Sequence, residues 1–231
     1  MADRLWVVIP AAGTGRRMLG DVPKQYLPLA GRSVIEWSMS PFLARRDIAG
    51  IVVALAADDQ HFVSLPTAGD PRIRRAVGGA ERVDSVLSGL HSLDAVERDW
   101  VLVHDAARPC LHADDLSRLI GELATDDVGG LLAVSVADTL KSAVDDRVQG
   151  TVPRTNLWRA LTPQMFRFGL LLRALREAVQ TRRAVTDDSA AIELLGLKPR
   201  LIAGRADNIK ITVPEDLRQA ATTLQQRSKT N

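Results

Sequence analysis

A loop that follows the first apolar segment of the chain combines glycines with cations. Gly13 and Gly15 are followed at once by Arg16 and Arg17, and Lys24 comes soon after. Glycine lets the main chain turn sharply and brings its N–H groups close to phosphate oxygens. Arginine and lysine side chains beside those N–H groups add positive charge around the same anion. The loop therefore predicts a site that holds a polyphosphate.

The spacing within this loop excludes other familiar phosphate-binding motifs. A dinucleotide-binding fingerprint has another glycine three residues after Gly15, where this chain has Met18. A Walker A loop has four residues between its glycines and then Gly-Lys-Ser/Thr, which this segment lacks. An ordinary turn with basic residues facing water is the alternative. Adjacent arginines and a Pro-Lys pair in so short a loop favour anion binding.

The composition is that of a globular protein. Its 231 residues, 46% hydrophobic and 25% charged, suffice for one large domain or two small ones. Lys and Arg exceed Asp and Glu by only 30 to 28, which argues against a protein that coats nucleic acid. No apolar run is long enough for a membrane span. Cys110 is the single cysteine, which suits a reducing cytoplasm, so we expect a cytoplasmic protein that binds neither nucleic acid nor a membrane.

Short β-branched runs alternate with helical patterns along the chain. The runs are nearly continuous in apolar residues, as burial of both faces of a parallel sheet requires. The sequence therefore predicts an α/β fold with a doubly wound, mostly parallel sheet, in a single domain over residues 1–231. A helix is predicted over residues 167–180, and another begins at Pro214. The predicted strands are residues 5–10, 50–56, 73–77, 100–104, 129–136 and 198–203.

The segment 138–156 breaks the alternation of strands and helices. Strand candidates at residues 139–144 and 148–151 flank the turn-forming sequence Asp145-Asp146-Arg147 and have little apolar surface. A hairpin that cannot bury itself usually packs on something else. From these residues alone, a surface excursion without a partner is an equal alternative.

Glycine, acidic or basic residues follow several of the predicted strands. Ligands of a doubly wound sheet bind beyond the carboxyl ends of its strands, so these segments are expected to meet at one site. They are the loop from Gly13, the segment 78–82 with the helix that carries Ser85, the segment 104–109 and the segment 207–210.

A series of motifs over nearly the whole chain resembles one enzyme family. The family is the 2-C-methyl-D-erythritol 4-phosphate cytidylyltransferases of the non-mevalonate isoprenoid pathway. The opening glycine loop is shared by many nucleotidyltransferases, whereas His-Asp-Ala-Ala-Arg-Pro and Asn-Ile-Lys are narrower. In chain order the motifs are Pro-Ala-Ala-Gly-Thr-Gly-Arg-Arg-Met, Pro-Lys-Gln-Tyr, Val-His-Asp-Ala-Ala-Arg-Pro, Asp-Thr-Leu-Lys, Leu-Thr-Pro-Gln, Thr-Asp-Asp and Asn-Ile-Lys-Ile-Thr.

The resemblance implies both a reaction and an assembly. The reaction joins CTP and methylerythritol 4-phosphate and releases pyrophosphate, with Mg²⁺ bound mainly through the CTP phosphates. The fold is a Rossmann-like nucleotidyltransferase domain with a projecting β-arm at residues 138–156, and the arm embraces a second subunit in a homodimer. Because a phosphate monoester has a second pKa near ~6, the attacking oxygen is already anionic and needs no general base. Alignment and charge stabilisation are what the enzyme must supply.

The resemblance also implies roles for individual residues. Catalytic roles fall on Arg17, Lys24 and Lys210. The CTP site comprises Ala11, Ala12, Gly13, Gly15, Gly79, Ala80 (through its backbone only), Ser85, Asp105 and Ala106. The sugar-phosphate site comprises Arg108, Thr139, Arg154, Thr186, Asp187 and Lys210, with Thr139 and Arg154 supplied by the neighbour's arm.

Simpler interpretations accompany these assignments. Asp105 could merely cap the segment after its strand, and His104 is expected to be a packed, hydrogen-bonded histidine. The other histidines lack metal-ligand spacing, so no protein residue is assigned as a metal ligand. A cytidylyltransferase that acts on ribitol phosphate and a regulatory nucleotide-binding domain are the alternative functions.

Overall fold

The computed structural model describes residues 3–13 and 22–228, and its central element is a seven-stranded sheet. The strands are β1 (Leu5–Pro10), β2 (Pro28–Leu29), β3 (Arg32–Ser33), β4 (Ile48–Leu55), β5 (Ile73–Val77), β6 (Trp100–Val103), β7 (Gly129–Ser135), β8 (Leu140–Val144), β9 (Arg147–Val152), β10 (Trp158–Arg167) and β11 (Arg200–Ala203). The α-helices are α1 (Val34–Leu43), α2 (Arg82–His91), α3 (Ala113–Leu123), α4 (Phe168–Gln180), α5 (Asp188–Leu194) and α6 (Pro214–Ser228).

The central sheet is mostly parallel, in the order β11-β7-β10-β6-β1-β4-β5. Strand β1 pairs in parallel with β4 and β6, β4 with β5, and β7 with β11. Only β10 among the strands of this sheet runs antiparallel to its neighbours, β6 and β7. The predicted α/β class with a mostly parallel sheet is therefore confirmed.

Helices cover both faces of this sheet, which explains the continuous apolar runs. Along β1, Val7 and Ile9 belong to the core that includes side chains of α1 and α3. The alternating residues Trp6 and Val8 belong to the opposite core, with side chains of α2, α4 and α5. Because successive side chains of a strand point to opposite faces, a strand covered on both sides must be apolar at every position.

Strand β10 was missed by the sequence prediction. It contains polar side chains and Pro163, and its pairing with β7 shifts register between Ala160 and Gln164. Proline is tolerated in a strand where the hydrogen-bond ladder is irregular. Strand β10 can therefore form although its sequence lacks a regular apolar pattern. Thr162 and Gln164 are buried in it, and both contribute to the site. Elsewhere the predicted boundaries differ slightly, since β4 begins at Ile48 and β11 at Arg200.

The hairpin predicted within residues 138–156 is present as a sheet of its own, formed by β8 and β9. Its two-residue turn is made by Asp145 and Asp146, whose φ angles are 47° and 61°. Positive φ at both central residues is the geometry that matches the twist of a hairpin. Most of its side chains are exposed, including Val144 (58%) and Val148 (62%).

A smaller apolar cluster packs α6 against the segment that follows β6. Ala220 and Leu224 of α6 pack with Cys110 and Ile211, which places the segment around Lys210 beside the carboxyl end of β6. Burial raises the pKa of the Cys110 thiol to about 12, as befits a packed and unreactive residue. Within residues 3–13 and 22–228, none of the helices has the length and apolar character needed to span a bilayer.

Candidate functional site

Two adjoining cavities lie at the carboxyl edge of the sheet, where the sequence predicted the site. The first cavity has a volume of about 190 Å³ and the second about 210 Å³. Arg82, Asp105 and Lys210 line both and form their common wall. The first cavity is also lined by Pro10, Ala11, Ala12, Gly13, Lys24, Gln25, Gly79, Ala80, Glu81, Ser85, Ala106 and Ala107. The second is also lined by Arg108, Ala160, Leu161, Thr162, Gln164, Thr186 and Asp187.

Most of the predicted site residues are brought together at these cavities. Gly15 and Arg17 lie outside the described residues, as does Arg16. Thr139 and Arg154 are described, exposed, and absent from both linings as the described residues define them. The Arg154 guanidinium instead donates a hydrogen bond to the main-chain carbonyl of Ala137.

Glycine is required where the loop after β5 passes the loop after β1. A Cβ on Gly78 would lie 2.5 Å from the Cβ of Ala12 and 2.9 Å from Ser85 Oγ, which no real side chain could occupy. The Gly79 N–H donates to Ser85 Oγ at 3.1 Å, and the Ser85 hydroxyl lies 3.2 Å from the carbonyl oxygen of Glu81. These contacts hold the predicted residues Gly79 and Ser85 at the rim of the first cavity.

The turn at Lys24–Tyr26 is fixed to two other segments that line the first cavity. Gln25 Nε2 donates to the carbonyl oxygens of Ala11 (2.8 Å) and Gly13 (3.3 Å). Lys24 Nζ donates to the carbonyl oxygen of Ile211 at 2.8 Å, beside Lys210. Sequence analysis missed Gln25, although its place next to Lys24 in the Pro-Lys-Gln-Tyr motif was a signal. The bond from the Lys24 side chain to the main chain next to Lys210 thus brings both lysines to the first cavity.

Asp105 lies at the centre of a cluster of cations. Its Oδ2 is 3.0 Å from Lys210 Nζ and 3.4 Å from Arg108 Nε, and its Oδ1 is 3.2 Å from Arg82 Nε. Burial opposes ionisation of this carboxyl, but the surrounding cations outweigh it and hold the pKa of Asp105 well below its usual range. The side chain is therefore an ionised carboxylate engaged with cations, which is more than the helix-capping role considered from sequence.

Sequence analysis did not single out Arg82, which lines both cavities, or Asp188, which contacts it from outside both linings as described. Arg82 Nη2 lies 2.8 Å from Asp188 Oδ2, so one guanidinium bridges Asp105 and Asp188. Burial disfavours the charged guanidinium, yet Asp188 and Asp105 together raise the pKa of Arg82. Each residue did lie within a quoted segment, Arg82 after β5 and Asp188 in Thr-Asp-Asp, but sequence spacing could not show that they meet.

Two buried residues, Asn208 and Gln164, hold side chains that line the second cavity. Asn208 Nδ2 donates to the carbonyl oxygen of Thr162 at 2.9 Å, while its main-chain carbonyl accepts a bond from Arg108 at 2.8 Å. Gln164 donates to Asp187 Oδ2 at 2.8 Å, and Asp187 Oδ1 caps the start of α5. The predicted residues Arg108 and Asp187 are therefore both held by buried amide-bearing residues.

His104 is packed beneath this site and is neutral. The Asp105 N–H donates to the Thr162 hydroxyl at 3.1 Å, and that hydroxyl is 2.9 Å from His104 Nδ1. His104 Nε2 is 3.1 Å from the carbonyl oxygen of Arg108, which can only accept, so Nε2 carries the proton and Nδ1 accepts from Thr162. Burial lowers the pKa of His104 to about 4. The prediction of a packed, hydrogen-bonded histidine is confirmed.

This depressed pKa makes the stability of the fold depend on pH. Between pH 6.5 and about 4 the unfolded chain binds a proton at His104 that the folded chain does not, so stability falls as the pH is lowered through that interval. We expect a loss of about 3 kcal/mol from this residue, measured by urea unfolding at a series of pH values. In His104→Gln this part of the pH dependence should disappear. An unchanged slope in the variant would contradict the assignment.

Comparisons with known proteins identify the family that this chain resembles. The family model described as "IspD: 2-C-methyl-D-erythritol 4-phosphate cytidylyltransferase" matches residues 5–226. Relatives named 2-C-methyl-D-erythritol 4-phosphate cytidylyltransferase include one from Ectopseudomonas mendocina (strain ymp), 55% identical over 94% of both chains, and one from Pseudomonas putida (strain W619), 56% identical over 92% of both chains.

Solved structures of the same description share the fold. That of Francisella tularensis 2-C-methyl-D-erythritol 4-phosphate cytidylyltransferase superposes with a TM-score of 0.83 at 32% identity, covering 96% of this chain and 100% of that chain. That of the enzyme from Thermus thermophilus gives a TM-score of 0.80 at 31% identity, covering 97% and 100% of the two chains. The similarity therefore extends over nearly the whole chain and not only over the motifs.

Proposed function

Because the chain belongs to the family of 2-C-methyl-D-erythritol 4-phosphate cytidylyltransferases, we propose that it transfers the cytidylyl group of CTP to 2-C-methyl-D-erythritol 4-phosphate and releases pyrophosphate. The observation that carries this proposal is the wall of Arg82, Asp105 and Lys210 shared by the two cavities. A reaction between two anionic substrates requires their phosphates to meet at one place, with cations to offset the repulsion.

The linings support an assignment of one substrate to each cavity. The first cavity receives CTP, with the main chain of Ala11, Ala12 and Gly13 around its phosphates and the segment of Gly79, Ala80 and Ser85 around the base. The second cavity receives methylerythritol 4-phosphate, which contacts Arg108, Thr186, Asp187 and Lys210. In this arrangement the sugar phosphate approaches the α-phosphate of CTP across the shared wall, and pyrophosphate leaves on the opposite side.

Cations, and not a general base, carry the chemistry. The phosphate monoester is already ionised at neutral pH, so its oxygen attacks without losing a proton. His104 is buried, neutral and fully engaged with Thr162 and Arg108, which makes it a poor candidate for a base. Lys24 and Lys210 stabilise the charge that grows on the α-phosphate, and Arg17 is assigned the same role from the motif alone.

The residues of the first cavity fit a Mg²⁺ ion that is bound mainly through its substrate. In residues 3–13 and 22–228, no cluster of three or more histidine, cysteine or acidic side chains could form a protein cage. Magnesium usually retains several waters and binds substrate phosphates with one or two carboxylates. Both oxygens of Asp105 are engaged with Arg82, Arg108 and Lys210, so the CTP phosphates and water, and not this carboxylate, would hold the ion. Bound there, Mg²⁺ would neutralise charge on the CTP phosphates.

The hairpin supports a homodimer with a composite site. Thr139 and Arg154 belong to segment 138–156, and their exposed side chains leave them available to a second subunit. The exposed Val144 and Val148 pair with Arg147 and Ala143, so they lie on opposite faces of the hairpin and each face presents an apolar side chain. We assign Thr139 and Arg154 to the second cavity of the neighbouring subunit. A single cysteine without disulfide and a nearly balanced charge fit a cytoplasmic enzyme.

Replacing Arg154 with alanine should weaken binding of the sugar phosphate more than that of CTP. The guanidinium is proposed to contact the phosphate of methylerythritol 4-phosphate in the partner's cavity, and charge-assisted bonds to phosphate are strong. We expect KM for the sugar phosphate to rise about tenfold or more, with KM for CTP nearly unchanged, in steady-state assays. Arg147→Ala, at the exposed turn of the hairpin, is the matched control. Equal effects on both substrates would place Arg154 elsewhere.

A pyrophosphate-release assay tests the function directly. The purified protein is given CTP and Mg²⁺ with either methylerythritol 4-phosphate or ribitol phosphate. Turnover with the first acceptor and little with the second is the expected result. Preference for ribitol phosphate would reassign the acceptor. Binding of CTP with no pyrophosphate released from either acceptor would indicate a regulatory nucleotide-binding domain.

A further inference from the structure

Arg82 lies at a position where the helix dipole and burial both disfavour a cation. It is the first residue of α2, and the amino end of a helix carries partial positive charge, which repels a guanidinium. Its side chain is only 27% exposed, so desolvation adds to this penalty. Residues that violate local preferences in this way are expected where a site needs them. The position of Arg82 therefore calls for an explanation beyond the stability of α2.

Two carboxylates from distant parts of the chain compensate for this position. Arg82 Nε lies 3.2 Å from Oδ1 of Asp105, a residue of the segment that follows β6. Arg82 Nη2 lies 2.8 Å from Oδ2 of Asp188, a residue of the first turn of α5. A bridge with two separate donors sets the direction of the guanidinium as well as its charge. Arg82 thus ties the shared wall of the cavities to α5.

Asp188 is fully buried and lines neither cavity, as far as the described residues go. Its Oδ1 atom is buried without a hydrogen-bond partner in the described chain. Burial raises the pKa of the Asp188 carboxyl above its usual value, and the contact to Arg82 opposes that effect. Burying a carboxylate with one oxygen unsatisfied is costly unless the charge is needed. The charge of Asp188 is therefore directed at Arg82 and not at a substrate.

We propose that Asp188 and Arg82 form a positioning pair that holds the Asp105 carboxylate, and through it the ammonium of Lys210, between the two cavities. The Arg82 contact takes Oδ1 of Asp105, while Lys210 and Arg108 take Oδ2, so the carboxylate is held from both sides. Without Asp188 the Arg82 guanidinium keeps only its contact to Asp105. Its position is then no longer fixed, and neither is that of the Asp105 carboxylate, which also contacts Lys210. Lys210 then no longer lies where the two substrates meet. This inference rests on the proposed function for its kinetic consequences.

The kinetic test is a double-mutant cycle with Asp188→Asn, Arg82→Gln and the double variant. Asp188→Asn should lower kcat about tenfold, because Lys210 is no longer held between the two cavities. Because Asp188 lines neither cavity as described, KM for CTP and the calorimetric Kd for CTP should stay within about twofold. In the Arg82→Gln background, the same Asp188→Asn change should have almost no further effect on kcat. This non-additivity is expected if Asp188 acts only through Arg82.

Asp115→Asn is the matched control for loss of a buried charge. Asp115 is as buried as Asp188 and also lies between arginines, Arg118 at 3.3 Å and Arg205 at 3.6 Å, outside both cavity linings as described. We expect it to lower the unfolding temperature comparably but to leave kcat within about twofold of the wild type. A normal kcat in Asp188→Asn would overturn the proposal. So would an equal fall of kcat in Asp115→Asn, or full additivity in the cycle.

A crystal structure of Asp188→Asn separates this inference from the proposed function. We expect the contact of 3.0 Å between Lys210 Nζ and Asp105 Oδ2 to be lost or lengthened in the variant. If the wild-type protein releases no pyrophosphate, the proposed function fails, and the positioning pair is then judged by this structure. An unchanged Asp105 and Lys210 arrangement would overturn the pair, whatever reaction the protein catalyses.

Discussion

Replacing Lys24 with alanine is expected to lower kcat by roughly 10²-fold or more, the scale seen when one preorganised transition-state donor is removed. The ammonium lines the first cavity and is held in place by its bond of 2.8 Å to the carbonyl oxygen of Ile211. A cation that is fixed before the substrate arrives needs no reorganisation as charge grows on the α-phosphate. The substitution removes that stabilisation while the cavity walls persist.

Steady-state kinetics with both substrates measure this effect. Lys198→Ala, which removes an exposed lysine next to β11 that is absent from both described cavity linings, serves as the control and should behave like the wild type. A Lys24→Ala variant with normal kcat and only a raised KM would show that the ammonium assists ground-state binding instead.

Asp105→Asn should damage both stability and activity. Arg82, Arg108 and Lys210 all contact this carboxylate, and the amide would leave their charges facing one another without it. Removing one partner of a buried ion pair typically costs about 3–5 kcal/mol. Activity should also fall by at least roughly tenfold in kcat, because Lys210 and Arg82 lose the group that aligns them on the shared wall.

Urea unfolding and kinetics at a temperature where the variant is folded separate these effects. Asp115→Asn should show a comparable loss of stability with normal kcat, so Asp105→Asn must show a clearly larger fall in kcat than Asp115→Asn to support the assignment. A variant of Asp105 that loses stability but keeps its turnover would reduce the residue to a structural role.

The same variant has a signature at acidic pH. The pKa of Asp105 is held below that of the unfolded carboxyl, so its contribution to stability is present above about pH 4 and is lost as the pH falls below it. Asp105→Asn should therefore flatten the acid limb of the stability profile. The His104 effect occupies the interval between pH 6.5 and 4 and should remain in this variant.

Some of this protein could be predicted because the responsible information is local. The apolar runs of β1 and β6 are continuous because both faces of those strands are covered, and no distant residue is needed to see this. The turn at Asp145 and Asp146 was likewise predictable, since their type alone favours positive φ. The edge of the sheet that holds the site could also be predicted, because the carboxyl ends of parallel strands lie at one edge and ligands bind beyond them. Glycine, acidic and basic residues follow these strands in the sequence.

Other features were decided by the tertiary structure alone. Strand β10 has no regular pattern, and its pairing exists only because β6 and β7 offer it two partners at once. The cation cluster on Asp105 joins Arg82, Arg108 and Lys210 from three segments of the chain. The strands with continuous apolar runs, the glycine turns and the kind of charge at the site could thus be predicted from the sequence. The pairing of those charges depends on distances of a few ångströms between segments far apart in sequence, and only packing of the whole fold fixes such distances.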